Sequence, residues 1–224
     1  MDRLHRITLL LGNEAISKLQ KSTVMVVGCG AVGSFAIEAL ARSGVGHLIL
    51  VDFDNVEESN INRQLFALDS TVGKSKVAVA TRRIADINPK ITVDMFNTFF
   101  DKNTELNIKP DFVIDAIDTV PSKIALYKWC MDNNVPFISS MGAARKTDLT
   151  KIKIGKISKT TVCPLASKIR HIVRDLNMKD FPVVYSTEMA APQKNGGREF
   201  GSCVAVTGTF GLMLADFVIK KLIS

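Results

Sequence analysis

The sequence predicts an α/β fold, a mostly parallel sheet with helices on both faces that continues into antiparallel strands in its C-terminal part. Three observations predict it. Short β-branched runs alternate with segments of helical apolar spacing, a glycine cluster stands at the first strand-to-helix junction, and after Gly142 isoleucines begin to alternate with lysines. The 224 residues are 46% hydrophobic and 23% charged, with Gly 14 and Pro 7, a composition of packed globular proteins that excludes disordered and collagen-like classes.

The elements follow in order. Ser22 to Gly28 is a β-branched run ending in glycine, as a buried parallel strand reads. Ala31 to Arg42 has helical spacing and stops at Gly44, and His47 to Val51 is a second apolar run ending in Asp52, which completes a βαβ unit. Lys74 to Ile87 reads as a helix ended by Asn88-Pro89, Ile91 to Phe96 and Phe112 to Asp115 as strands, Val120 to Asn133 as a helix, and Phe137 to Met141 as a fifth strand. Beyond Gly142, the alternation around Ile152, Ile154 and Ile157 marks a half-exposed strand at which the sheet turns antiparallel. A helix from Pro164 to Leu176, a strand near Val183 to Ser186, a Gly-rich loop from Pro192 to Gly201 and a final helix from about Thr207 complete the chain. The apolar stretch Val204 to Ile219 is too short for a membrane span and reads as a buried helix. Met1 to Lys21 has no unbroken apolar core of a signal peptide, and the four scattered cysteines form no Cys-x-x-Cys pair, so a reducing cytoplasm without zinc or membrane is expected.

Gly28-Cys29-Gly30-Ala31-Val32-Gly33 is Gly-x-Gly-x-x-Gly at a strand-to-helix turn, where backbone N–H groups can meet a phosphate in a Rossmann-like nucleotide site. Asp52 follows at the end of the second strand, positioned to accept hydrogen bonds from ribose hydroxyls. So far a nicotinamide-dependent dehydrogenase fits. The next segment does not suit a redox cofactor: Asp52-x-Asp54-x-Val56-x-x-Ser59-Asn60-x-x-Arg63-Gln64, followed by Lys76, gathers amide and cationic donors able to hold a triphosphate and offset charge on a phosphoryl group under attack. Asp118 stands just past the fourth strand, at the carboxyl edge where such sheets bind ligands, and one carboxylate plus phosphate oxygens suffices for Mg²⁺.

Charge is unevenly spread. Of 29 basic and 22 acidic residues, net +7, the window from Arg145 to Asp180 holds Arg145, Lys146, Lys151, Lys153, Lys156, Lys159, Lys168, Arg170, Arg174 and Lys179 against Asp148, Asp175 and Asp180. The whole excess therefore lies there. Either this part meets a polyanion, or it is a solvated lysine-rich face.

Together these residues resemble the ubiquitin-activating-enzyme-like adenylyltransferases, the superfamily of ThiF, MoeB and HesA, over nearly the whole chain. The resemblance implies a single ATP-binding domain of that type over 1–224, with a nucleotide-binding core at 1–142 and a basic substrate-binding part at 143–224. It implies that a carboxylate attacks the α-phosphate of ATP and releases pyrophosphate. By position it gives Gly28, Gly30, Gly33, Asp52, Asp54, Asn60, Arg63, Gln64 and Lys76 to the nucleotide, Arg63, Lys76 and Asp118 to catalysis, and Asp118 to magnesium. It places Arg6 in the neighbouring subunit's site, which implies a homodimer.

Two branches compete. The sulfur-carrier activators adenylate a ubiquitin-like protein and commonly carry paired Cys-x-x-Cys zinc ligands, which this sequence lacks. The segments Asp115 to Lys123, Met141 to Ala144, Pro164 to Arg170, Tyr185 to Glu188 and Thr207 to Gly211 resemble the other branch, the tRNA threonylcarbamoyladenosine dehydratases, which adenylate and cyclise a threonylcarbamoyl group on tRNA. That implies tRNA as partner, with Arg145, Lys168, Arg170 and Arg174 as contacts, and leaves a ubiquitin-like or sulfur-transfer protein as the alternative. Cys203, just before the last helix, is the best-placed thiol for a covalent step, but a packed small side chain is the preferred reading. In the dehydratases that carry a cysteine there, it aligns near Gly196. His5, His47 and His171 are too scattered for a metal triad.

Overall fold

The structure, a computed structural model, describes residues 2–106, 108–193 and 200–224. Two short helices, α1 (His5–Leu11) and α2 (Asn13–Lys21), precede β1 (Thr23–Val27), α3 (Gly33–Ser43) and β2 (His47–Val51). Then come α4 (Lys76–Ile87), β3 (Thr92–Phe96), β4 (Phe112–Asp115), α5 (Val120–Asp132) and β5 (Phe137–Ser140). The C-terminal part holds β6 (Ile152–Lys156), α6 (Pro164–Asp175), β7 (Pro182–Ser186) and α7 (Val204–Ile223).

Among the described residues seven strands form one sheet in the order β3-β2-β1-β4-β5-β7-β6. β1 to β5 and β7 run parallel, and only β6 is antiparallel, pairing Ile152 with Ser186 through to Lys156 with Pro182. The central strands are apolar on both sides because helices cover both faces, and Val24 to Val27 and Leu48 to Val51 are buried throughout. One core joins the sheet to α3 and α7 through Ile37, Leu40, Phe210 and Leu214. The other joins it to α5 and α6 through Leu126, Tyr127, Ile169 and Val173. The chain leaves β1 toward β2 and β3 on one side and returns through β4 toward β5 on the other. That reversal opens a crevice at the carboxyl ends of β1 and β4.

Most expected elements fall within one or two residues of these bounds, with three differences. The N-terminal segment is helical, broken in two at Gly12, whose φ of 86° interrupts the helical backbone. The alternation around Ile154 is only partly a burial pattern: Ile152 is buried, but Ile154 is exposed because β6 ends the sheet, and Ile157 is buried in a 3-10 turn after the strand. Finally, α7 begins at Val204, three residues before Thr207. The sequence conceals this start because Cys203 gives no side-chain cap and the first turn, Val204-Ala205, is exposed. Positions 194–199 lie outside the described residues, and with them most of the Gly-rich loop, Gly196 included.

Candidate active site

A cleft of about 460 Å³ occupies the crevice. Gly28, Gly30, Asp52, Asp54, Arg63, Gln64, Lys76 and Asp118 all line it, so most of the expected nucleotide residues converge from separate loops.

The glycine turn is built by close approach. Gly28 has φ +94°, and a Cβ there would lie 2.6 Å from the Ala116 carbonyl oxygen; a Cβ at Gly33 would lie 1.7 Å from the Gly28 oxygen. Gly33 therefore packs α3 against the loop and does not itself line the cleft, whereas Gly30 faces it. Asp52 clamps the turn: its two carboxylate oxygens accept the Cys29 N–H at 2.6 Å and the Asp54 N–H at 2.9 Å. This ties the glycine loop to the end of β2 and leaves lone pairs of the carboxylate free to accept from hydroxyls of a ligand. Asp54 accepts a 2.7 Å hydrogen bond from Lys76 Nζ, which fixes that largely buried ammonium at the cleft wall.

Arg63 Nη1 donates to the Ser59 carbonyl at 2.7 Å and to Asn62 Oδ1 at 2.9 Å, which leaves the rest of the guanidinium for a ligand. Asn60 is placed differently from expectation. It is buried in the 3-10 turn Glu58–Asn60, where its Oδ1 accepts the Glu57 N–H and its Nδ2 donates to Ser59 Oγ, and it does not line the cleft. It shapes the loop that carries Arg63. Arg6 is exposed on α1 and does not line its own chain's cleft. Phe53 and Phe99, 4.9 Å apart and edge-on, give the cleft an exposed aromatic wall. Sequence reading missed this wall because the two rings come from different loops.

Asp118 is exposed at the rim, and beneath its loop lies a fully buried ion pair. Lys123 Nζ reaches Asp115 Oδ2 at 2.7 Å, the Ser140 carbonyl at 2.8 Å and Ser139 Oγ at 3.3 Å. Asp115 also accepts from Tyr127 Oη at 3.0 Å, from Ser139 Oγ and, on its other oxygen, from the Ile117 N–H at 3.0 Å. Burial first, then the Asp115 charge, pushes the Tyr127 hydroxyl well above its ordinary value, so it stays a neutral donor. The network fixes Ile117 and Ser140, which stand on two walls of the cleft.

The basic part is less uniformly available than its charge suggests. Lys146 is buried and donates to the Glu188 carbonyl at 2.6 Å. Arg170 commits Nη1 to the Thr160 carbonyl and hydroxyl at 2.8 and 2.6 Å. Arg174 is exposed beside Asp175 at 3.3 Å, and Lys168 is exposed. Arg145 sits 4.8 Å over the ring of Phe200, a cleft-lining residue, and so lies at the cleft mouth.

None of the four cysteines is among the residues that line the cleft. Burial, then the negative charge of Asp52, raises the Cys29 thiol well above its ordinary value, and burial raises Cys130. Cys163 is buried, and Cys203, half-buried, packs against the core without lining the cleft. Among the described residues no cluster of three His, Cys, Asp or Glu could hold a metal, and no helix is long and apolar enough to cross a membrane.

The ThiF family pattern matches residues 2–224. The chain belongs to the ThiF family. Within it, the chain is 47% identical over 192 residues to tRNA threonylcarbamoyladenosine dehydratase of Bacillus subtilis, covering 84% of this chain and 76% of that protein. It is 38% identical over 232 residues to the Haemophilus influenzae protein of the same name, covering 94% and 89%. Among solved structures it is similar to Escherichia coli tRNA N6-threonylcarbamoyladenosine dehydratase, TcdA. The match to TcdA in complex with AMP has a TM-score of 0.92 at 36% identity, covering 98% of this chain and 93% of that one. The match to its ATP complex has a TM-score of 0.90 at 35% identity, with the same coverage.

Proposed function

We propose that this ThiF-family chain is an ATP-dependent dehydratase that adenylates the threonylcarbamoyl carboxylate of a modified adenosine in tRNA and promotes its cyclisation. The observation that carries the reading is the likeness, over nearly the full chain, to a dehydratase crystallised with ATP and with AMP. The cleft supports it independently, since it gathers phosphate-binding backbone, a ribose carboxylate and two cations in one crevice.

In this reading the adenine lies against Phe53 and Phe99, Asp52 holds the ribose, and Gly28 to Gly30 with Arg63, Gln64 and Lys76 hold the phosphates. Gly33 and Asn60 act from behind, by shaping the loops. The substrate carboxylate approaches the α-phosphorus in line with the leaving group, bonds to it, and pyrophosphate departs. A nucleophilic atom of the same substituent then attacks the acyl carbon, its proton goes to solvent, and AMP leaves with the former carboxylate oxygen. The substituent has lost the elements of water. High effective molarity drives this second step, so the cleft needs no cysteine nucleophile. The exposed Asp118 carboxylate at the cleft rim fits Mg²⁺, which is held by one or two carboxylates plus phosphate oxygens and water; when bound it neutralises charge on the phosphates. Lys168, Arg174 and Arg145 lie on the tRNA side, and Arg6 completes the site of a second copy in a homodimer.

The test is to incubate the protein with Mg-ATP and tRNA bearing linear threonylcarbamoyladenosine, digest to nucleosides and follow the loss of one water by mass spectrometry. Cyclic product that depends on ATP and disappears in Arg63→Ala is expected. ATP–pyrophosphate exchange driven by a different carboxylate, such as the Gly-Gly end of a ubiquitin-like sulfur carrier, with no cyclic nucleoside, would overturn the substrate assignment.

A further inference from the structure

The cleft falls into two halves about the strand-order reversal. The β1–β2–β3 side carries the glycine loop, Asp52, Phe99, Arg63 and Lys76, while the β4–β5–β7 side carries the start of α5, the turn from Ser140 to Ala144, and Leu165 of α6. The first half has its phosphate donors. The second contains a polar group that the nucleotide reading does not use.

Ser122 lines the cleft in the first turn of α5, is 2% exposed, and its Oγ has no hydrogen-bond partner. A buried hydroxyl without a partner costs stability, and such groups are few in native proteins. The same turn has further unused donors. Thr119 provides no side-chain cap, Pro121 has no N–H, and the first backbone bond of the helix is from the Lys123 N–H to the Thr119 carbonyl. Directly behind lies the Lys123–Asp115 pair, which holds this turn and the Ser140 backbone in place.

We propose that the first turn of α5, with Ser122 Oγ as its side-chain donor, binds the carboxylate that is activated, in the half of the cleft opposite the nucleotide. The helix N-terminus favours an anion. A carboxylate seated against this turn would give the Ser122 hydroxyl the acceptor it lacks. Ser122 is thus a substrate-binding residue kept at a cost to the ligand-free fold. The assignment rests on the adenylation reading above.

The experiment compares wild type with Ser122→Ala in three measurements: thermal midpoint, KM for ATP, and KM for tRNA bearing the linear modification. Removing an unpartnered hydroxyl leaves the midpoint unchanged or raises it, and the KM for ATP stays within about two-fold, while the KM for tRNA rises about ten-fold or more. An unchanged KM for tRNA, or a rise confined to ATP, overturns the proposal; the latter would give the oxygen to the nucleotide phosphates. A fall in midpoint overturns it too, since it would show that the hydroxyl serves the fold. If wild type activates another carboxylate instead of the modified tRNA, the substrate assignment falls, and Ser122 is judged by the KM for that carboxylate.

Discussion

Lys123→Met is the most demanding test of how the cleft is held. Lys123 and Asp115 are both fully buried, and the ammonium makes contacts at 2.7, 2.8 and 3.3 Å to the carboxylate, the Ser140 carbonyl and Ser139 Oγ. Methionine fills much of the same volume, so the packing loss is small. What remains is a carboxylate with hydrogen bonds from Tyr127, Ser139 and Ile117 but no countercharge. Breaking one side of a buried pair typically costs about 3–5 kcal/mol. At about 2–4 °C per kcal/mol for a chain of this size, the midpoint should fall by roughly 6–20 °C. Urea unfolding followed by circular dichroism measures the loss directly. The double variant Asp115→Asn with Lys123→Met removes both charges and should recover much of it, giving a favourable coupling in the double-mutant cycle. A single-variant loss below about 1 kcal/mol, the scale of exposed ion pairs, would refute the reasoning, because the pair would then be solvated in the folded protein.

Gly33→Ala should lower stability by about 1–3 kcal/mol and reduce ATP affinity, read by denaturation and calorimetry, because its Cβ meets the Gly28 backbone oxygen rather than a movable side chain. Burial works against ionisation of Glu38, yet hydrogen bonds from Arg83 and Arg42 outweigh it and hold the carboxyl below its ordinary value. Its contribution is therefore present above about pH 4.3, the unfolded value, and is lost as pH falls through the lower folded one. Glu38→Gln should thus be less stable than wild type by about 1 kcal/mol at neutral pH, with the gap closing in acid unfolding curves. Lys168→Ala should weaken tRNA binding and flatten its logarithmic salt dependence by about 0.7–0.9 in filter-binding titrations. Arg170→Ala should instead lower the thermal midpoint, since its guanidinium is committed to Thr160. Cys203→Ala should retain most cyclisation activity; loss of turnover with intact ATP binding would restore a covalent step.

Local chemistry was legible in the sequence where one segment carries it. β2 and β4 have the bounds expected for them because apolar runs ended by aspartate leave little choice of register. The glycine turn, Asp52 and Asp118 were legible as neighbours because they follow the carboxyl ends of β1, β2 and β4, while Arg63 and Lys76, which opens α4, stand in the connection from β2 to α4. Features that join distant segments were not. Nothing in sequence spacing says that Asp52 clamps the Cys29 N–H, that Asn60 turns inward to cap its own loop, or that Phe53 meets Phe99. Lys123 stood in the expected Asp115 to Lys123 segment, but its partners Ser139 and Ser140 come from the neighbouring strand, so its role depends on the pairing of β4 with β5. The charge total also hides how Lys146 and Arg170 are held, since it cannot separate solvent-facing cations from those that donate to backbone oxygens. The helices α1 and α2 were missed because neither has a conventional capping side chain to announce it.

The position of β6 at the end of the sheet has a consequence for solubility. One side of the strand pairs with β7 and, among the described residues, no strand pairs with the other, so its edge is a template onto which another extended chain could add. Lys153 and Lys156 are exposed along this strand, with Lys151 just before it and Lys159 just after it. Like charges repel when two such edges approach, and an incoming chain would have to desolvate them. The lysines of this basic face therefore also keep copies of the protein from stitching their sheets together, so charge-neutralising changes here would reduce solubility whether or not they change affinity for the proposed tRNA.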